Sequence, residues 1–205
     1  MCNQNRDTSN FIWYQILVIY MRVLSLSGSH VKKGNTGLLI GYLNEQIEEA
    51  AIEDLKMKSV SLAGAKIGPC KGCRKCMEAG YCVVKDDFNS IARKMLKSDL
   101  IIIGSPVYFQ DVSGRVKNFI DRTYSLWHDR QLKGKKVIPV AVSAVSGEDR
   151  ALETIRIWAQ AHEMKIIRSV HGHGYKRGEV LRDQEAKDDV ITVVHDLVGE
   201  LKSEH

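Results

Sequence analysis

At 205 residues the chain is long enough for one well-buried domain and too short to argue for two. Hydrophobic residues make up 44% and charged residues 27%, which excludes a disordered or fibrous architecture. The formal charge of +5 comes from 30 basic residues scattered among 25 acidic ones, the densest group being Lys133-Gly134-Lys135-Lys136. A nucleic-acid partner is therefore not expected, and such mild basicity suits anionic cofactors and acidic redox partners.

The apolar run over residues 11–21 is interrupted by Gln15 and falls well short of the roughly 20 residues needed to cross a bilayer. Ser25-Leu26-Ser27 has the look of a signal-cleavage site, but cutting there would remove the first strand of the fold. Residues 1–20 are read instead as a leader or extension outside the fold, with Met21 as the natural start, a single domain over 21–205 and a cytoplasmic location.

From Met21 the chain alternates short apolar runs with longer amphipathic ones. Residues 22–26 read as a first strand, 35–52 as a helix opened by Asn35 and Thr36, and 59–67 as a weaker strand. Residues 88–97 form a short helix capped by Asp86 or Asp87, and the unbroken apolar run 100–103 is a strand buried on both faces. A helix over 113–127, a strand over 137–142, a helix over 149–162, a strand over 165–170 and a helix over 183–201 follow. This order predicts an α/β, doubly wound, five-stranded parallel sheet with helices on both faces. Ligands of such a sheet bind beyond the C-terminal ends of the strands, where strand order reverses.

The loops after strands one, three and four carry the informative residues. The first, Ser27-Gly28-Ser29-His30-Val31-Lys32-Lys33-Gly34-Asn35-Thr36, is rich in small and hydroxyl residues and leads into a helix N-terminus. It lacks the closing Gly-Lys-Ser/Thr of a Walker A loop and the G-x-G-x-x-G of a dinucleotide fingerprint, which leaves a loop suited to one terminal phosphate, or a plain polar turn with good capping residues. After strand three, Pro106, Val107, Tyr108 and Phe109 are placed to face a flat apolar ring system, or simply to pack. After strand four, Ser143-Ala144-Val145-Ser146-Gly147 supplies a third small-residue loop. His171-Gly172-His173 reads as a surface turn rather than a metal pair, and the glycine-rich stretch ending at Gly178 has no phosphate-binding spacing.

Four of the five cysteines fall in one segment, at Cys70, Cys73, Cys76 and Cys82. Three thiols at successive gaps of two, with a fourth nearby, suit the four corners of an iron–sulfur cubane. A structural zinc site and a metal-free loop are the alternatives, zinc sites more often drawing two Cys-x-x-Cys pairs from separate knuckles. Gly72 and Gly80 let the backbone bend, and Arg74 and Lys75 offset the negative charge of a thiolate-ligated cluster.

Together these residues resemble the iron–sulfur flavoprotein family, within the NAD(P)H-dependent FMN reductase and flavodoxin-like group. The resemblance runs from residue 21 to about 201. It rests on the loop from Gly28-Ser29 to Gly34-Asn35-Thr36, on Ser105-Pro106-Val107-Tyr108-Phe109, on Ile120-Asp121-Arg122-Thr123, and on the cysteine segment followed by Asp86-Asp87. It implies a flavodoxin-like fold with FMN and a 4Fe-4S cluster as cofactors. Ser27, Gly28, Ser29, Gly34, Asn35 and Thr36 would hold the phosphate, Pro106 to Phe109 would frame the ring, and Ser143, Ser146 and Gly147 would close its other side. Relatives often carry an Arg in the first loop where this chain has Val31, with Lys32 or His30 as the nearest substitutes. The family's role implies an electron carrier taking electrons from ferredoxin to a small-molecule or protein acceptor and assembling as a homodimer or homotetramer. A flavin, quinone or nitro-group reductase driven by NAD(P)H, and a redox-sensing regulatory module, are the other readings. No side chain is assigned acid–base catalysis.

Overall fold

In the computed structural model, residues 20–50 and 52–204 are described. The reading of 1–20 as a leader therefore lies, Tyr20 apart, outside the described residues. The chain runs β1 (Met21–Ser27), α1 (Asn35–Glu49), β2 (Leu55–Ser61), α2 (Cys76–Ala79), α3 (Phe88–Leu96), β3 (Leu100–Tyr108), β4 (Asp111–Val112), α4 (Gly114–Arg122), α5 (Tyr124–Trp127), β5 (Lys136–Ser143), α6 (Glu148–Ala161), β6 (Lys165–Ile166), β7 (Val170–His173) and α7 (Gln184–Ser203). The sheet order is β2-β1-β3-β5, with β6 and β7 following one another along the free edge of β5. Every pairing is parallel except the short β3–β4 ladder. The strand order reverses at β1, so the cleft between the C-terminal ends of β1 and β3 is the expected ligand position.

Side chains alternate along each buried strand and so feed two separate cores. Leu24, Leu26, Ile101 and Ile103 point to one face, where Phe88, Ile91 and Met95 of α3, Phe119 of α4, and Ile155 and Trp158 of α6 cover them. Met21, Val23, Ile102 and Val140 point to the other, under Leu39, Leu43 and Ile47 of α1 and Val190, Val194 and Leu197 of α7. Each fully buried aliphatic side chain contributes about 1.5–3 kcal/mol.

The five expected strands form the core of the sheet, which has seven in all. The second strand starts four residues earlier than its apolar pattern indicates and ends at Ser61. As an edge strand it alternates exposed Lys56 and Lys58 with half-buried Leu55 and Met57, a pattern that reads as polar. The fifth strand is split. Val137 faces Ile166 while Val140 faces Val170, so three steps on β5 lie opposite four on its neighbour. The extra residue is a bulge. The helix expected over 113–127 breaks at Thr123, and Ser113 stands outside it as its N-cap, accepting the Val116 N–H at 3.4 Å.

At that break the hydroxyl of Thr123 is fully engaged. Oγ1 donates to the Ile120 carbonyl at 2.6 Å and accepts the Trp158 Nε1–H at 2.8 Å. Its remaining acceptor position meets His162 Nε2 at 3.0 Å, which assigns the proton of that ring to Nε2 and leaves Nδ1 buried without a partner. Burial pulls the His162 pKa down to about 4. In the folded protein the ring thus stays neutral while the unfolded chain takes up its proton near pH 6.5. The resulting stability is complete above pH 6.5 and is lost as pH falls toward 4, by up to about 3 kcal/mol. Urea midpoints measured across this range should fall in the parent and fall less in His162→Gln; parallel curves would show that the ring does not titrate on unfolding.

Candidate functional site

The first loop is shaped by close approach. Gly28 donates its N–H to the Gly104 carbonyl at 2.7 Å, and a Cβ there would lie 2.0 Å from Val116 Cγ2 of α4. Ser113 Oγ donates to the Gly28 carbonyl at 2.9 Å, and the Ser113 N–H is in turn accepted by Ser105 Oγ at 2.8 Å. Ser29 Oγ accepts the Val31 N–H at 3.1 Å and so folds the loop back toward Gly34. Helix α1 begins after Gly34, which has no side chain to cap it, and the N–H groups of its first turn have no intrahelical acceptor.

These features converge on a cavity of about 280 Å³. Ser29, Gly34, Asn35 and Thr36 line it from the first loop, Pro106, Val107 and Tyr108 from the end of β3, and Ser143 from the end of β5. Ser27, Gly28, Phe109, Ser146 and Gly147 do not line it. The Ser27 hydroxyl is buried without a partner beside Gly37 in the first turn of α1, and Gly28 serves the packing just described. Phe109 and Gln110 form the two-residue tip of the β3–β4 hairpin, with φ of +48° and +70°, which throws the Phe109 ring fully into solvent. Ser146 Oγ accepts the Gln110 Nε2–H at 3.2 Å, and Gly147 leads into α6. Asn35 faces the cavity, but its amide is committed: Nδ2 donates to the carbonyls of Gly174 and Lys176 at 2.8 and 3.0 Å, and Oδ1 accepts the Gly178 N–H at 2.7 Å.

The wall missing from the sequence reading is the segment after β7, where Gly174, Tyr175 and Arg177 complete the cavity. The signal that would have found it is topological, since the fifth strand also opens its loop at this edge of the sheet. His171 and His173 take no part. They pair with Asp189 and Glu185, and with Glu148 and Asp183, respectively.

The four cysteines line a second cavity, of about 290 Å³, together with Arg122. All four are free thiols, with Cys70 and Cys73 exposed and Cys76 and Cys82 buried. Among the described residues no three His, Cys, Asp or Glu side chains form a group that could hold a metal ion. Gly72 and Gly80 turn the loop with φ of +62° and +71°, conformations that side chains resist. Burial pushes the Cys76 thiol up, and the other three thiols add to the rise.

The cysteine loop is closed at its neck by the two aspartates that follow it. Asp87 accepts the Lys66 N–H at 2.7 Å. Asp86 accepts the N–H groups of Gly68 and Phe88 at 3.2 and 3.1 Å and takes both arms of Arg122 at 2.6 and 2.9 Å, whereas Asp87, the N-cap residue of α3, makes no side-chain capping bond. Arg122 is 1% exposed, and two more of its donors reach the Gly68 carbonyl at 3.0 Å and Cys82 Sγ at 3.2 Å. Burial opposes the charge on Asp86, but Arg122 and the two N–H groups outweigh it and hold the carboxyl below its usual range.

Residues 21–174 match the family model described as NADPH-dependent FMN reductase. An iron–sulfur flavoprotein of Methanocaldococcus jannaschii is 37% identical over 149 residues, covering 72% of this chain and 76% of the relative. The chain belongs to the iron–sulfur flavoprotein family, within the FMN reductases. The iron–sulfur flavoprotein of Methanosarcina thermophila is 29% identical over 150 residues, 72% of this chain and 77% of its own. Among solved structures, an apo NADH:FMN oxidoreductase superposes with a TM-score of 0.66 at 16% identity, over 87% of this chain and 89% of the other. A flavodoxin from the domain Archaea gives 0.55 at 15% identity, over 89% and 99%. Both share the fold expected from the sequence, and FMN binding accords with the family.

The buried Arg122–Asp86 pair makes a measurable prediction. Removing one partner strands the other charge in the core, at a cost of about 3 kcal/mol or more. Asp86→Asn keeps the side-chain shape and should lower the urea midpoint accordingly, with cysteine alkylation by iodoacetamide becoming faster as the neck opens. An unchanged midpoint would show that the pair does not hold the neck.

Proposed function

We propose that this protein relays electrons from a one-electron donor such as ferredoxin, through a 4Fe-4S cluster held by Cys70, Cys73, Cys76 and Cys82, to FMN and on to a small-molecule or protein acceptor. The observation that carries the reading is that all four cysteines of the segment line one cavity beside the buried Arg122. Such a cluster passes single electrons, and FMN stores up to two.

The chain's own residues bind and orient. Ser29, Thr36 and the first-turn N–H groups of α1 offer donors for a phosphate. Pro106, Val107, Tyr108, Ser143 and Ala144 flank the space left for a flat ring. Arg122 Nε–H donates to Cys82 Sγ and fixes the orientation of that ligand, while Arg74 and Lys75 offset thiolate charge. Tyr124, Trp127 and Ile157 stay exposed along a groove of about 690 Å³ that Cys70 also borders, a face suited to a second copy in a homodimer or homotetramer. Among the described residues no helix is long and apolar enough to cross a membrane. A reducing cytoplasm would keep the free thiols available as ligands.

The match to NADPH-dependent FMN reductases favours one other reading, an NAD(P)H-driven flavin, quinone or nitro-group reductase whose cysteine loop is structural. Cys73→Ser separates the two. The hydroxyl is a poor iron ligand near neutral pH, so the variant should lose iron from an expected content of about four per chain while keeping FMN. Ferredoxin-dependent flavin reduction should become slow, and dithionite should still reduce the flavin fully. Iron, flavin and reduction rate measured anaerobically on parent and variant decide the matter. A variant that loses iron yet is reduced by ferredoxin at the parental rate overturns the relay, and rapid NADPH oxidation by both proteins points to the reductase.

A further inference from the structure

We propose that Arg177 supplies the cation for the flavin phosphate in this chain, and that Asn35 is the positioning residue that holds the Arg177 loop over the site. The proposal rests on reading the 280 Å³ cavity as the FMN phosphate site.

No cationic residue of the first loop lines the cavity. Val31 occupies the first-loop wall, and neither Lys32 nor His30 lines the cavity. His30 is turned aside, its Nδ1 accepting the Arg115 Nε–H at 2.9 Å and its ring stacked on Tyr108 with centroids 5.6 Å apart. Arg115 is itself spent on His30 and on the carbonyls of Leu62 and Ala65. Arg177 is the one cationic residue among those lining the cavity; it is exposed, and it forms no ion pair among the described residues.

The loop that carries Arg177 is built rather than loose. Asn35 grips it from inside with three hydrogen bonds to Gly174, Lys176 and Gly178. Glu179 grips it from outside, accepting the N–H groups of Tyr175 and Lys176 at 2.9 and 2.7 Å. The Gly174 N–H anchors its start to the Ser143 carbonyl at 2.9 Å, and a Cβ on Gly174 would lie 2.7 Å from Asn35 Nδ2. Asn35 is thus the first residue of α1 and also the clasp of a loop far along the chain. Its amide sets where Arg177 starts, and a guanidinium suits a phosphate dianion with paired N–H donors.

The test titrates the full-length, flavin-stripped chain with FMN and with riboflavin, following flavin fluorescence, at two salt concentrations. The parent should prefer FMN. Arg177→Gln should weaken FMN binding at least tenfold, leave riboflavin binding unchanged and flatten the salt dependence, and Arg177→Lys should restore part of the loss. Asn35→Ala should reduce the FMN-to-riboflavin ratio in the parent background but not in the Arg177→Gln background, the mark of two residues acting through one contact. A parent that binds both flavins equally removes the phosphate-site reading itself. A parent that prefers FMN, with Arg177→Gln keeping the parental ratio, overturns the proposal for Arg177 alone. Additive losses in the double variant overturn the positioning role of Asn35.

Discussion

A buried guanidinium governs the architecture on one side of the sheet. Arg122 lies over the ring of Phe88, 4.8 Å from its centroid, and is enclosed by Asp86, the Gly68 carbonyl and the Cys82 sulfur. A charge in such a place is costly unless its donors are used, and here four hydrogen bonds engage four of the five N–H groups. The demand is mutual. Arg122 needs the turn after the cysteines as much as that turn needs Arg122, so the end of α4, the start of α3 and the thiol cavity are set as one unit.

The other end of the same helix is tied to the other site. At its N-terminus Ser113 holds the Gly28 carbonyl, Val116 fills the space a side chain on Gly28 would take, and Arg115 pins His30. Nine residues, about 13 Å of helix, therefore separate the backbone of the first loop from a cysteine of the second cavity. Packed helices do not stretch, so α4 fixes the spacing of the two sites as a rod would. The break at Thr123 is where that rod ends and the chain turns toward α6.

What was legible in the sequence followed from burial and from local spacing. The central strands β1, β3 and β5 read as apolar runs because both of their faces are covered, and the cysteine spacing alone placed four thiols around one space. What stayed hidden depended on partners far along the chain. The edge strand β2 reads as polar because only one of its faces is covered. Thr123 is an ordinary helical residue until Trp158 and His162 arrive beside it. Phe109 was expected to frame a ring because it is aromatic and follows a strand, yet the hairpin geometry decides its direction, not its chemistry. Asn35 read as a phosphate ligand from its place at a helix start, whereas its amide is matched to backbone groups about 140 residues onward.

The closed neck of the cysteine loop has an architectural consequence. Lys66 and Gly68 are already within hydrogen-bonding distance of Asp87 and Asp86, so the chain leaves and re-enters the body of the protein at nearly one point. No strand of the sheet lies in the excursion between them, and its one regular element is the short α2. The thiol-bearing segment is therefore an excursion with a single neck, which adds no strand to the doubly wound sheet and packs back on it through Cys82 and Val84. A lineage could shorten it to a tight turn without changing strand order, but only by refilling the space of Cys82 and Val84 and replacing Arg122 in the same step.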